Sequence, residues 1–140
     1  MILGIGTDMV DVGRIATALR DHEHRFKQRV FTLGEQEYAD SRPNPHAAYA
    51  KRFAAKEAFA KALGVGIKGL GAGHDKAVNF TDIEVSKDEL GKPILTVTGA
   101  ASDILNHQVV TAGGNQGARV HLSLSDELPF ASAYVIIELV

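Results

Sequence analysis

Residues 46–64 read HAAYAKRFAAKEAFAKALG, an alanine-rich run with no internal proline or glycine until it closes on Gly64. Alanine loses least on entering a helix, and glycine is the favoured residue just past a helix end, so the run predicts a long helix starting near His46. The prolines of the preceding SRPNP, Pro43 and Pro45, end whatever comes before it. Working back, Thr32 followed by Glu35 is a capping-box pattern and opens a short helix through Tyr38. From Asp11 to about Arg29 the spacing of Val12, Ile15, Leu19 and Phe26 predicts one or two helices. Met1 to Val10 reads as a short buried strand with Asp8 at its end, and its glycines, Gly4 and Gly6, allow another segment to come close.

Working forward, glycines at 64, 66, 69, 71 and 73 predict a loop rather than a helix or strand. Phe80 to Ser86 and Pro93 to Thr98 carry strand-forming residues on either side of KDELGK, whose Gly91 supplies a turn. Ala100 to Val110 reads as a helix, GGNQG as a loop, and Ala118 to Ser125 with Ala131 to Val140 as a second hairpin turning at DELP. The order strand, helices, hairpin, helix, hairpin predicts a single α+β domain over 1–140, with a largely antiparallel sheet packed against the long helix.

Composition narrows the chemistry. At 140 residues, 45% hydrophobic and 23% charged, the chain can bury a core and lies outside the disordered class. Having no cysteine, it can hold no disulfide, thiolate metal site or cysteine nucleophile, which suits a reducing cytoplasm. The first residues lack a basic leader pattern, and no apolar run approaches the ~20 residues that span a bilayer, so a soluble cytoplasmic protein is expected. The net charge of −2 gives no reason to expect nucleic acid. Locally, however, Arg14, Arg20, Arg25, Lys27 and Arg29 outnumber Asp21 and Glu23, which makes a basic patch suited to an acidic partner.

Three places could carry chemistry. Glu57 and Lys61 lie one turn apart on the long helix, the spacing of an ordinary surface ion pair. Asp8 is placed either to cap the following helix or to bind a cation. With Glu57 it would make a sufficient protein share for magnesium, which takes one or two carboxylates and fills its octahedron with water and phosphate oxygens, while Lys61 beside them could neutralise a phosphate. The strand from Ala118 to Ser125 alternates, with Val120, Leu122 and Leu124 on one side and Arg119, His121, Ser123 and Ser125 on the other. The polar side is either a solvated sheet face or a site wall, and the partner strand from Ala131 reads as largely buried on both sides. The glycine cluster fits neither a P-loop nor a dinucleotide fingerprint, and no HExxH or GxSxG is present.

Three stretches together resemble one family, the holo-acyl-carrier-protein synthases, a trimeric class of 4′-phosphopantetheinyl transferases. They are Gly4-Ile5-Gly6-Thr7-Asp8 through Arg14-Ile15; Arg52-Phe53-Ala54-Ala55-Lys56-Glu57-Ala58 with Lys61-Ala62 and Gly64-Val65-Gly66; and His121-Leu122-Ser123-Leu124-Ser125 with Ala131, Ala133 and Val135. The resemblance implies the fold of that family and transfer of the phosphopantetheine arm of coenzyme A to a serine of apo acyl carrier protein, in fatty acid biosynthesis. It implies Asp8 and Glu57 as magnesium ligands and, with Lys61, as the catalytic set. Coenzyme A contacts are implied at Arg52, Lys61, Gly64, Gly66, His121 and Ser123, and carrier docking on Arg14, Arg25, Phe26 and Arg29. It further implies a homotrimer with sites between subunits. Asp126, where the family often has histidine, receives no role from the resemblance. The general base stays open among Asp8, Glu57 acting through a water, and a more distant group. Two other readings of the same residues are a magnesium-dependent phosphohydrolase and a non-catalytic module that binds acidic proteins.

Overall fold

The alanine-rich helix is α3 in the chain order β1 (Ile2–Asp11), α1 (Val12–Val30), α2 (Leu33–Asp40), α3 (Pro45–Leu63), β2 (Gly66–Ile67), β3 (Ala77–Val78), a 3₁₀ turn (Phe80–Asp82), β4 (Ile83–Lys87), β5 (Pro93–Val97), α4 (Gly99–Thr111), β6 (Ala118–Glu127) and β7 (Phe130–Leu139). This computed structural model describes residues 1–67 and 77–140. Most of the expected glycine loop lies outside the described residues, and its described end departs from expectation, because Gly66–Ile67 pairs in parallel with Ala77–Val78.

Local signals set the helix boundaries, and α3 starts one residue before the expected His46. The side chain of Asn44 accepts from the N–H of Ala47, Pro45 occupies the first turn, and Gly64 closes α3 at φ +76°, in the left-handed region. Thr32 and Glu35 form the full capping box of α2. α1 is one element bent at His22, whose φ of −141° breaks the helical run. Phe80–Asp82, expected as strand, winds into the 3₁₀ turn instead, so the β4–β5 hairpin starts at Ile83 and forms its own two-stranded sheet.

The main sheet has the order β1-β7-β6, antiparallel throughout, with β7 in the centre. Ala131, Ala133, Val135 and Ile137 of β7 are buried on the side facing α3. The helix answers with small residues, Ala50, Ala54, Ala55 and Ala58, all wholly buried, so helix and sheet backbones lie unusually near each other. Closest of all is β1: a Cβ built on Gly4 would stand 1.9 Å from the carbonyl oxygen of Ala62, and one on Gly6 would stand 1.9 Å from that of Ala58. The other face of the sheet is open rather than buried on both sides as expected for β7: Tyr134 is 58% exposed, beside Ile5 at 69% and Met9 at 67%.

Beneath α2 and β4 lies a buried ion pair. The ammonium of Lys56, with no exposed surface, donates to Glu35 at 2.6 Å and to the carbonyls of Val30 and Phe80 at 2.7 and 3.1 Å. Glu35 also accepts from the N–H groups of Thr32 and Val85, so both partners of the pair are fully engaged. This cluster ties α1, α2, α3 and β4 together one residue before Glu57.

Candidate functional site

Residues alternate along a strand, so Asp8 follows Gly4 and Gly6 on the face of β1 that presses on α3. The close approach at the two glycines places it beside Glu57 and Lys61. The N-cap role open to Asp8 belongs instead to Asp11, whose carboxylate accepts from the N–H of Gly13 at 2.7 Å. Lys61 also departs from the simple expectation: among the described residues it pairs with Asp8 at 3.1 Å rather than with Glu57, and donates to the carbonyl of Thr7 at 3.0 Å. Its side chain is 56% exposed, which leaves one face of the ammonium to solvent or a ligand.

Glu57 is half-buried, and its carboxyl is raised above the usual range, chiefly by burial and next by the negative charge of Asp8; Lys61 and Arg14 oppose the rise. Four side chains from three elements therefore act on one another: Asp8 from β1, Arg14 from α1, and Glu57 and Lys61 from α3. Two carboxylates forced together, one of them disfavoured as an anion by the other, form a donor set that a divalent cation would relieve. Among the described residues no group of three or more His, Asp or Glu gathers to hold a metal, so this pair would supply the whole protein share.

The opposite flank of α3 carries a second feature. A cleft of about 370 Å³ is lined by Lys51, Arg52, Lys87, Lys92 and Ser123, together with apolar residues of β6. Arg52 is 1% exposed, lies 4.1 Å over the ring of Tyr38, and donates from Nη1 to the carbonyl of Ala48 at 3.3 Å, yet its Nε has no partner. Burial lowers its pKa, against the opposing pull of Tyr38 and Glu35. A buried guanidinium nitrogen without an acceptor is costly, and the lysines that line the same cleft would attract an anion. Lys87 and Arg42 join Arg52 around Tyr38, at 5.1 and 5.4 Å from the ring.

The remaining expected residues are distributed as follows. Gly64 borders a groove with Leu3, His107 and Thr111, at the end of α3 that carries Lys61. Gly66 is half-buried in β2. His121 stands on the open face of the sheet, its Nε2 2.8 Å from a carboxylate oxygen of Glu138, and within one chain it does not meet the Asp8–Glu57 cluster. Arg25 and Arg29 are exposed on α1, whereas Phe26 is half-buried, edge-on to Phe31 at 5.6 Å, and so belongs largely to the aromatic core. Sequence reasoning missed Lys51, Lys87 and Lys92. Lys87 and Lys92 flank a polar hairpin turn, and nothing in the turn itself signals that they face a cleft.

A family model described as the 4′-phosphopantetheinyl transferase superfamily matches residues 4–123. The chain is 44% identical over 138 residues to a holo-[acyl-carrier-protein] synthase of Brucella ovis, with 99% of this chain and 96% of that protein covered. It is similar to the crystal structure of the holo-[acyl-carrier-protein] synthase from Neisseria meningitidis, with a TM-score of 0.76 at 38% identity and 99% of each chain covered. It is likewise similar to that from Bacillus anthracis in complex with CoA (3′,5′-ADP), with a TM-score of 0.74 at 35% identity, covering 100% of this chain and 99% of the other.

Proposed function

Since this chain belongs to the 4′-phosphopantetheinyl transferase superfamily, and within it to the holo-acyl-carrier-protein synthases, we propose that it moves the phosphopantetheine arm of coenzyme A onto a serine of apo acyl carrier protein. The observation that carries this reading is the convergence of Asp8, Glu57 and Lys61 on one flank of α3. In the reaction the serine oxygen bonds to the phosphorus nearer the pantetheine, the bond from that phosphorus to the nucleotide oxygen breaks, and 3′,5′-ADP leaves. Phosphoryl transfer of this kind needs positioning and charge neutralisation more than covalent help. Asp8 and Glu57 would hold the magnesium ion that, when bound, neutralises pyrophosphate oxygens. The exposed part of the Lys61 ammonium would help to neutralise the same charge. The serine proton would pass to Asp8, to Glu57 through an intervening water, or to a more distant group.

The basic cleft around Arg52 suits the anionic nucleotide end of coenzyme A. Glu57 lies five positions after Arg52, which turns the two side chains about 140° apart around the helix. One coenzyme molecule is therefore best served by the carboxylate flank of one chain and the basic flank of another, which supports a cyclic homotrimer with sites between subunits. The open sheet face, with Ile5, Met9 and Tyr134 exposed, supplies apolar surface for such an assembly. On α1, exposed Arg14, Arg25 and Arg29 offer an acidic carrier a place to dock beside Glu57. We assign the carrier to fatty acid biosynthesis and the enzyme to the cytoplasm. The absence of cysteine accords with that compartment, and among the described residues no helix is long and apolar enough to cross a membrane.

The test is incubation with coenzyme A, magnesium and an apo carrier, followed by mass spectrometry of the carrier. A transferase adds the mass of the arm to the carrier and releases 3′,5′-ADP. Release of nucleotide with no gain on the carrier would replace this reading with a hydrolase.

A further inference from the structure

Asp126 lies near the end of β6, paired with Ala131 of β7, and its carboxylate oxygen is 2.8 Å from the ammonium of Lys51 on α3. Lys51 and Lys87 border two adjoining clefts. One is the basic cleft with Arg52 and Lys92; the other, about 250 Å³, adds Arg42 and Asp126. Among the described residues, Asp126 is the one carboxylate that lines either cleft. A carboxylate has the same sign as a phosphate and competes for the same donors. Both members of the pair are partly exposed, at 27% for Lys51 and 37% for Asp126, so the bond can exchange with a ligand without unpacking the core.

We infer that Asp126 is an internal competitor for the phosphate of the nucleotide: it holds Lys51 while the cleft is empty and yields it when a phosphate enters. This inference rests on the reading of the cleft as the nucleotide end of the site. Asp126 thereby sets affinity below what the surrounding cations would give and speeds departure of the product. It is a residue that tunes binding and takes no part in the bond changes themselves.

The experiment measures binding of 3′,5′-ADP by calorimetry, and steady-state kinetics with coenzyme A and apo carrier, for the intact protein and Asp126→Asn, each also in a Lys51→Met background. Asp126→Asn is expected to bind 3′,5′-ADP roughly three- to fivefold tighter, the range for loss of one partly exposed charge interaction. KM for coenzyme A should fall by a similar factor with no rise in kcat, and in the Lys51→Met background the substitution should change binding little. Asp126→Ser serves as a second variant with the charge removed and should behave the same way. Equal or weaker binding by both variants overturns the inference while leaving the transferase reading intact. Tighter binding by the same factor with and without Lys51 overturns it as well, since the carboxylate would then act through the general field. If the unaltered protein neither binds 3′,5′-ADP nor modifies a carrier, the reading of the site fails and the inference fails with it.

Discussion

Replacing Gly6 by alanine adds one methyl group at the place where β1 touches α3. That methyl would stand 1.9 Å from the carbonyl oxygen of Ala58 and 2.7 Å from the amide nitrogen of Ala62. The first separation is roughly an ångström and a half inside an ordinary ~3.5 Å contact. Both obstructing atoms are helix backbone, so no rotamer change can make room; the strand and α3 must part. Overpacking a tight core typically costs about 1–3 kcal/mol, and an obstacle that cannot move puts Gly6→Ala at about 3 kcal/mol or above. For a domain of this size that corresponds to a fall in Tm of roughly 10 °C. Function should suffer beyond stability, because Asp8 lies two residues along the same strand face. Even at a temperature where the variant is fully folded, carrier modification should fall at least tenfold, with weaker activation by magnesium. The control is Gly113→Ala after α4, where φ is +81° and nothing lies within 4 Å of the added methyl. It should cost only about 1–2 kcal/mol of backbone strain and leave transfer intact. A Gly6→Ala variant as stable and active as the unaltered protein would refute the argument that glycine at this crossing brings the carboxylates together.

Three further outcomes are expected. Lys56→Met alone or Glu35→Gln alone should destabilise by about 3–5 kcal/mol in urea titration, because each strands a buried partner, while the double variant should recover part of that loss. The raised carboxyl of Glu57 gives a pH signature: a group that binds protons more readily folded than unfolded favours folding at low pH, and that contribution is lost as pH rises through the folded pKa. Without metal, Glu57→Gln should therefore flatten the decline in Tm just above the ordinary carboxylate range and unfold later than the unaltered protein at neutral pH; magnesium should narrow the gap by stabilising only the unaltered protein. On α1, Arg25→Ala should raise KM for the carrier several-fold and weaken its salt dependence without changing KM for coenzyme A, whereas Arg14→Ala should also lower kcat, since the charge of Arg14 reaches Glu57.

Much of the architecture was legible because its signals are local. The Thr32–Glu35 box, the Gly64 stop of α3 and the alternation of β6 depend on neighbours a few residues apart. Phe80–Asp82 was misread because its strand-forming residues were overruled by the capping of Asn79 with Asp82 and by the packing of Phe80 on Phe53. The exposed face of β7 was misread because an apolar side chain such as Tyr134 carries no local mark of whether the chain covers it.

The sequence alone singled out Asp8 and Glu57 as the candidate ligands, since their surroundings, GIGTD and RFAAKEAFAKALG, are distinctive and two carboxylates would suffice for magnesium. Tertiary structure decided how they meet and what accompanies them. Lys61 turned from its helix neighbour Glu57 to Asp8 because the missing Cβ atoms of Gly4 and Gly6 let β1 lie against the helix backbone. Arg52 became a buried donor with an unpaired nitrogen, Lys51 was taken up by Asp126, and Lys87 with Lys92 came across from a hairpin to complete a basic wall. These pairings join residues tens of positions apart, and only a packed core, which fixes which distant side chains share a cleft, can select them.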